Sequence, residues 1–261
     1  MPRLVVVVPC LFTSALASAQ SAPIDEFRPA VDSRGYFTIN GSSVLGHEEL
    51  SFGLGSLEWG RHPSGAVDNV VSATLVAAMG LQLGPVPIEL GASLPFTISS
   101  GIADTQGVGE GGLHLKLHLA SHLALIGSAY LPTAAGAHGV TPQVLAVVDT
   151  RIGRWGFGVT GGVRVVPSMA DAAAPAGATG SRASLPFGGA VTYALVPEKV
   201  ELVGEVYGTM QARDTGVHQL EALAGVKLYL ATNSYLSLGA GRGLVAEAGN
   251  PDVRALIGIV F

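Results

Sequence analysis

The stretch Leu113-His114-Leu115-Lys116-Leu117-His118-Leu119 alternates leucine with a charged or polar residue at every position. Successive side chains of a β-strand point to opposite faces, so this stretch predicts a strand with one apolar face and one polar face. The same alternation recurs upstream over 88–98 and downstream over 220–230. The sequence therefore predicts an all-β fold.

Composition indicates what the apolar face of these strands contacts. Charged residues make up 13% of the 261 residues, apolar residues make up 48%, and the mean hydropathy is +0.46. The other face of the predicted strands consists mainly of Gly, Ser, Thr and Ala, whereas a soluble β-sandwich would carry Lys, Glu and Asp there. After the first 20 residues we find no clean apolar run of about 18 residues that would indicate a transmembrane helix. A transmembrane β-barrel is expected, because its closed sheet leaves no unpaired edge in lipid.

About twelve strands can be distinguished, which predicts an antiparallel up-and-down barrel. The connections alternate between short and long around the whole chain, and the strand number is even. Both features are typical of bacterial outer-membrane barrels, which have short periplasmic turns and longer outer loops. The predicted strands are 47–60, 70–83, 87–99, 111–120, 122–133, 141–150, 154–166, 184–196, 199–211, 217–230, 234–243 and 252–261.

Residues 1–19 predict a signal peptide. Arg3 precedes the mostly apolar stretch 4–16, and Ala17 and Ala19 have the small-x-small spacing of a signal-peptidase cleavage site. The apolar stretch is shorter than the about 20 residues that a membrane span needs. Cys10, the only cysteine, lies in this segment, so the mature chain is expected to form no disulfide.

The rest of the chain divides into two parts. Residues 20–46 are either a periplasmic lead or a short plug, and the sequence leaves both open. Residues 47–261 form the predicted barrel. The apolar face of its last strand resembles the outer-membrane assembly signal, which implies the barrel-insertion machinery as a partner and the outer membrane of a Gram-negative cell as the location. The residues of this signal are Val253, Ala255, Ile257, Ile259 and Phe261.

Four further stretches of the chain resemble known families. Residues 27–37 (FRPAVDSRGYF), followed by 44–50 (VLGHEEL), resemble the start of the barrel domain in large OmpA-like outer-membrane proteins of myxobacteria. Residues 107–116 and 130–133 are similar to a pattern in that group and in the transporters grouped with the MetA phenol-degradation family. Both resemblances imply an outer-membrane barrel. The myxobacterial proteins carry a peptidoglycan-binding domain after the barrel, whereas no residue follows Phe261 here, so peptidoglycan anchoring is not expected.

Strand phase assigns a set of charged and polar side chains to the barrel interior. One hypothesis is a narrow passive channel for a small solute with a mixed-charge lumen. The alternative is a closed structural or surface-interaction barrel that acts through its outer loops. A filled interior is typical of about eight strands and a water channel of about sixteen, so twelve strands decide neither. The predicted inward residues are Glu89, His114, Lys116, His118, Arg164, Glu201, Glu205, Glu221, Lys227 and Arg254, with Arg242 as a further candidate.

The sequence indicates no enzyme, cofactor or metal site. His114, His118 and His122 would lie about 13 Å apart along a strand, whereas zinc binds nitrogens at about 2.1 Å. Outer-membrane phospholipases need Ser and His on the lipid-facing wall, and strand phase places no His there in mid-strand. The glycine-rich stretch 107–112 lacks the strand–helix context of a phosphate-binding loop. A net charge of −5 without a basic run argues against nucleic acid. Outer-membrane lipid and a small solute are the expected partners.

Overall fold

The computed structural model describes residues 27–31, 34–62, 69–100, 105–133, 139–167, 182–212, 217–231, 233–245 and 250–261. These residues form thirteen strands in one antiparallel sheet. The strands are β1 (Leu50–Arg61), β2 (Asn69–Leu83), β3 (Val86–Ser100), β4 (Thr105–Val108), β5 (Gly111–Ala120), β6 (Leu123–Leu131), β7 (Thr141–Ile152), β8 (Trp155–Val166), β9 (Arg182–Val196), β10 (Val200–Gln211), β11 (Val217–Ala231), β12 (Ser234–Gly243) and β13 (Val253–Val260).

The sheet closes into a barrel because β1 pairs with β2 on one side and with β13 on the other. In the described part of the chain twelve strands form the ring, and the short β4 extends the sheet beside β3. This confirms the predicted fold: each of the twelve predicted strands overlaps a ring strand, and no boundary differs by more than three residues. The sequence missed β4, because its four residues, TQGV, carry no alternation.

The two faces of the wall differ in the way that the alternation predicts. On β5, Leu115 points outward and is 40% exposed, whereas its neighbour Lys116 points inward and is only 3% exposed. The same contrast recurs around the ring and leaves a broad belt of exposed Leu, Val, Ile, Phe and Trp side chains. In water such a belt would be unusually large, whereas hydrocarbon covers it without cost.

The described residues include no helix that is long and apolar enough to cross a membrane.

The last strand carries the residues of the predicted assembly signal on one face. Val253, Ala255 and Ile257 are exposed on the outside of β13, and Phe261 follows at its end. The main chain of Phe261 pairs with that of Phe52, and the two rings lie 6.5 Å apart between centroids. Recognition of this face by the insertion machinery stays a prediction.

The two ends of the barrel differ in their connections. At one end, which we call the turn end, connections of two or three residues join the strands at 84–85, 121–122, 153–154 and 197–199. Gly84 and Gly153 have φ values of 60° and 61°, which glycine adopts without strain in such tight turns. The strand ends that the longer connections join lie at the opposite end, which we call the loop end.

The chain that precedes β1 lies inside the barrel. We call residues 27–46 the inner segment; all of it except residues 32 and 33 is described. Arg28 forms an ion pair with Glu110 near the loop end, at 3.1 Å between Nη2 and Oε2. Toward the turn end, the N–H of Leu45 donates to Glu89 at 2.9 Å. The inner segment therefore runs along the lumen from the loop half to the turn end and then enters β1.

The outward orientation of the leucine side chains on β5 predicts that a charge placed there lowers the free energy of unfolding by an amount that depends on its depth in the bilayer. Leu115→Arg places a cation at the middle of the strand, whereas Leu119→Arg places it on the same face beside the turn end. A cation at the bilayer midplane costs about 2–4 kcal/mol and one near the interface about 0–1 kcal/mol. Urea unfolding in lipid vesicles should show this difference in the free energy of unfolding. Equal losses would contradict the orientation of the barrel in the bilayer.

Candidate functional site in the barrel lumen

Most of the residues that strand phase assigned to the interior are buried there. His114 and His118 are partly buried, and Arg242 is exposed because it alternates onto the outer face of β12. Whether these residues contact a passing solute stays a prediction. The fully buried members of the predicted set are Glu89, Lys116, Arg164, Glu201, Glu205, Glu221, Lys227 and Arg254.

The sequence-based assignment missed two acidic residues that face the lumen, Glu58 and Asp149. Glu58 on β1 is buried, whereas its neighbours Leu57 and Trp59 are exposed on the outer face. This alternation could have identified Glu58 as an inward residue. A register shift between Leu54 and Leu57 interrupts the regular phase of that strand. Asp149 lies on β7, where consecutive apolar residues hide the alternation.

Arg254 is the centre of the most buried ion cluster of the wall. Its guanidinium is fully buried and donates from Nε to Glu221 Oε1 at 2.6 Å. It also contacts the carboxylate of Glu58 on the other side. The hydroxyl of Tyr207 donates to Glu221 at 2.7 Å. A buried charge is tolerated only when it is paired and hydrogen-bonded, and this cluster meets that condition.

Other inward charges also pair along the wall. Lys116 and Glu89 are register partners on β5 and β3, with 3.6 Å between Nζ and Oε1. Arg151 reaches Glu201 at 2.8 Å. These pairs and the Arg254 cluster follow the wall, and the inner segment occupies the space beside them.

Glu205 on β10 binds the main chain of the inner segment. Its Oε1 accepts the N–H of Phe37 at 2.5 Å, and its Oε2 accepts the N–H and the hydroxyl of Thr38 at 3.0 and 2.8 Å. Hydrogen bonds to a carboxylate are about twice as strong as neutral ones. Glu205 therefore anchors the middle of the inner segment to the wall.

Further wall groups bind the inner segment toward the turn end. Asp149 accepts the N–H of Ser42 at 3.0 Å, and the ring of His118 forms a hydrogen bond with the carbonyl of Ser42 at 2.8 Å. Lys227 donates to the carbonyl of Gly35 at 2.7 Å. These contacts involve main-chain groups of the segment, which would otherwise lie buried without partners.

The inner segment is also held by its own hydrogen bonds. The N–H of Ala30 donates to the carbonyl of Phe37 at 2.8 Å, and the N–H of Tyr36 donates to the carbonyl of Ile39 at 2.7 Å. The N–H of Val31 donates to the side chain of Asn40 at 3.1 Å. The segment is therefore a folded body and not an extended strand.

Apolar side chains of the inner segment pack against an apolar part of the wall. The ring of Phe27 meets that of Tyr207 edge-on, with 6.1 Å between centroids. The guanidinium of Arg254 lies 4.7 Å from the centre of the Phe27 ring. The cluster comprises Phe27, Tyr36, Phe37 and Ile39 from the segment and Ala190, Val203, Tyr207, Leu223 and Leu256 from the wall.

Inward-facing glycines leave room for the largest side chains of the segment. A Cβ atom on Gly158 would lie 2.4 Å from the Tyr36 ring, and one on Gly188 would lie 3.0 Å from Ile39. Burial raises the pKa of the Tyr36 phenol, and the nearby Asp149 carboxylate raises it further, so the buried hydroxyl stays neutral. The wall is thus shaped to fit this segment.

The histidines considered as metal ligands are far from forming one site. His114 bonds to Ser93 and Ser128, at 3.0 and 2.9 Å, and His118 bonds to Ser42. His122 is exposed in the turn after β5. Among the described residues no group of three metal-ligating side chains lies together. The predicted cleavage residues Ala17 and Ala19 lie outside the described residues.

Comparison with solved structures identifies the fold. The barrel is similar to an outer-membrane channel from Pseudomonas putida F1, with a TM-score of 0.60, 16% identity, and coverage of 84% of this chain and 97% of that chain. It is similar to the NanC porin, with a TM-score of 0.54, 12% identity, and coverage of 82% and 99%. The translocator domain of the autotransporter NalP from Neisseria meningitidis gives a TM-score of 0.50 at 12% identity, with coverage of 81% and 87%. The fold is therefore that of outer-membrane barrels.

No protein-family model matches the sequence, and no protein of curated function matches it. The narrower resemblance to myxobacterial OmpA-like proteins and to the MetA-pathway transporters stays a prediction.

The anchoring by Glu205 predicts an effect on amide exchange in the inner segment. Glu205→Gln removes the charge and one acceptor oxygen, so the N–H groups of Phe37 and Thr38 lose a charge-assisted bond. Such a bond contributes about 1.5–3 kcal/mol, which should accelerate amide hydrogen exchange of these two residues roughly ten- to hundredfold. Glu198→Gln, at an exposed turn position, is the matched control and should leave both rates unchanged.

The glycine fit predicts a difference between the two faces of β8. Gly158→Val inserts a side chain where Tyr36 lies, and overpacking of this kind costs about 1–3 kcal/mol in the free energy of unfolding. Gly161→Val faces outward with nothing within 4 Å of its Cβ position, so a change below about 0.5 kcal/mol is expected. Urea unfolding of both variants measures the difference. Equal effects would mean that the Tyr36 site is not occupied in solution.

Proposed function

We propose that this chain is an outer-membrane channel for small solutes whose lumen is closed at rest by its own inner segment. The observation that carries the proposal is the position of residues 27–46 among buried charged side chains, where hydrogen bonds, packing and the Arg28–Glu110 ion pair hold the segment. Conduction requires the segment to move. The outward apolar belt and the similarity to outer-membrane barrels support the location.

The wall pairs support a lumen that persists when the segment moves. The Arg254 cluster, the Lys116–Glu89 pair and the Arg151–Glu201 pair join wall residues to one another. Their charges therefore stay compensated after the segment leaves. A ring of twelve strands is wider than the filled barrels of about eight strands, so water can enter the vacated space. A small solute would then pass between charges of both signs.

A closed structural barrel is the second candidate, and the apolar cluster favours it. Burial of an aromatic or large aliphatic side chain stabilises by about 1.5–3 kcal/mol, and the segment buries four of them against the wall. In that case the segment is a permanent part of the core and the connections at the loop end carry the activity. The two candidates differ in one property, which is whether the segment moves.

Export and assembly complete the proposal. Residues 1–19 would direct export as a signal peptide, and the apolar face of β13 would be bound by the barrel-insertion machinery of a Gram-negative cell. Outer-membrane lipid and a small solute are the partners, and the chemistry is passive passage rather than catalysis. The family resemblance to myxobacterial OmpA-like barrels and MetA-pathway transporters belongs to this proposal as well.

A disulfide between the segment and the wall tests the proposal. A Cβ atom on Gly91 would lie 2.7 Å from Cγ1 of Val31, so the two positions are in direct contact, and the double variant Val31→Cys with Gly91→Cys is designed to form a disulfide there. The refolded protein, starting at Gln20 and thus without Cys10, is recorded in a planar bilayer. We expect few or no openings when it is oxidised, and openings after a thiol reductant is added.

The single variants Val31→Cys and Gly91→Cys are the controls, and their current should not depend on the reductant. Equal currents from the oxidised and reduced double variant would contradict closure by the segment. No current in any protein, with folding verified by heat-shifted gel mobility, would favour the closed structural barrel.

A further inference from the structure

We infer that the open channel prefers cations, and that Glu205 and Asp149 set this preference. The inference rests on the proposed function, because it concerns the lumen after the inner segment has moved. It assigns a chemical class to the solute: small cations, or small molecules with a positively charged group. The ion preference of the open lumen depends on which of its charges the wall compensates and which the inner segment compensates.

Glu205 depends on the inner segment for its hydrogen bonds. It is 3% exposed, and its carboxylate oxygens accept from the main chain of Phe37 and Thr38 and from the Thr38 hydroxyl. The wall residues paired with it in register are Ala190 and Leu223, which offer no side-chain donor. When the segment leaves, Glu205 presents a carboxylate to the lumen about midway along β10.

Asp149, which lies nearer the turn end, also depends on the inner segment for a hydrogen bond. Its Oδ1 accepts the N–H of Ser42, and its register partner on β8 is Gly158. Arg151 follows on the same face of β7 but forms its ion pair with Glu201. Loss of the segment therefore leaves Asp149 as a second carboxylate without its donor.

When the inner segment moves, the cations of the lumen keep more of their partners than Glu205 and Asp149 do. Arg254 stays between Glu58 and Glu221, and Lys116 stays beside Glu89. Lys227 loses the carbonyl of Gly35 but remains 3.7 Å from the centre of the Tyr235 ring on the wall. Arg164 keeps its hydrogen bond to Gln143 on β7, at 2.7 Å. The displaced segment also takes its own cations with it. The open lumen is thus left with carboxylates that a mobile cation can neutralise, the arrangement by which acidic side chains select cations in channels.

Arg28 and Arg34 are the cations that the segment carries. Arg28 pairs with Glu110, and Arg34 lies 3.7 Å from Glu49. Both acidic partners lie outside the twelve ring strands, near the two ends of the lumen. The segment also carries Asp32, so by formal count its movement removes a net charge of +1 from the lumen and makes the potential there more negative.

The experiment is the zero-current potential of open channels in a planar bilayer with a KCl gradient. For the unmodified protein, we expect a zero-current potential whose sign shows that potassium permeates more readily than chloride. Glu205→Gln and Asp149→Asn should each lower the ratio of potassium to chloride permeability by roughly two- to fivefold, and the double variant by more. Glu198→Gln, in a turn outside the lumen, is the control with the same chemical change.

Three design points keep the test decisive. Gly158→Val is recorded alongside, because displacement of Tyr36 should provide openings even if the unmodified protein opens rarely. Glu205→Gln is expected to open more often as well. The zero-current potential is a property of the open pore, so it separates a change in ion preference from a change in the frequency of opening. All proteins are checked for folding by heat-shifted gel mobility.

The outcomes distinguish this inference from the proposed function. Openings that prefer chloride, or a potassium preference unchanged by the double variant, would overturn the inference and leave the channel function intact. A complete lack of openings in every protein, Gly158→Val included, would overturn both. A preference lost equally in Glu198→Gln would assign the selectivity to the turn end and not to the lumen carboxylates.

Discussion

Closure of the sheet between β1 and β13 is the constraint on which the rest of this structure depends. A main-chain N–H or C=O group in hydrocarbon has no water to bond to, so the sheet can have no open edge. Closure then separates an outside that must be apolar from an inside that can hold charge. The burial of Arg254 and Lys227 follows from this separation, because both point away from the outward belt.

The interior that closure creates is filled by main chain as much as by side chains. Wall carboxylates would be costly to bury alone, and segment N–H groups would be equally costly without acceptors. Glu205 and Asp149 satisfy both requirements by binding the N–H groups of Phe37, Thr38 and Ser42. The same contacts that hold the segment thus stabilise two carboxylates by hydrogen bonds rather than by cations. The polarity of the lumen and the seating of the segment are consequently coupled.

Two kinds of contact oppose each other in this arrangement. The apolar cluster around Phe37 and the glycine fit at Tyr36 favour a segment that stays in place. The polar anchors can exchange with water once the lumen is hydrated, because each is a hydrogen bond that water also makes. A segment that blocks a channel needs both properties: packing that excludes water at rest, and anchors that do not depend on covalent bonds.

The sequence by itself determined the barrel, its strand number and most of the inward side chains. Alternation such as that of Leu115 and Lys116 is a local property, and a bilayer imposes it on every strand. Only the tertiary structure placed residues 27–46 in the lumen, because the donors of Phe37 and Ser42 meet Glu205 and Asp149 more than 100 residues away. That segment has no strand periodicity of its own, and the glycines that fit it are spread over separate strands. Its place is therefore decided by the shape and charge of a cavity that exists only after the ring has closed.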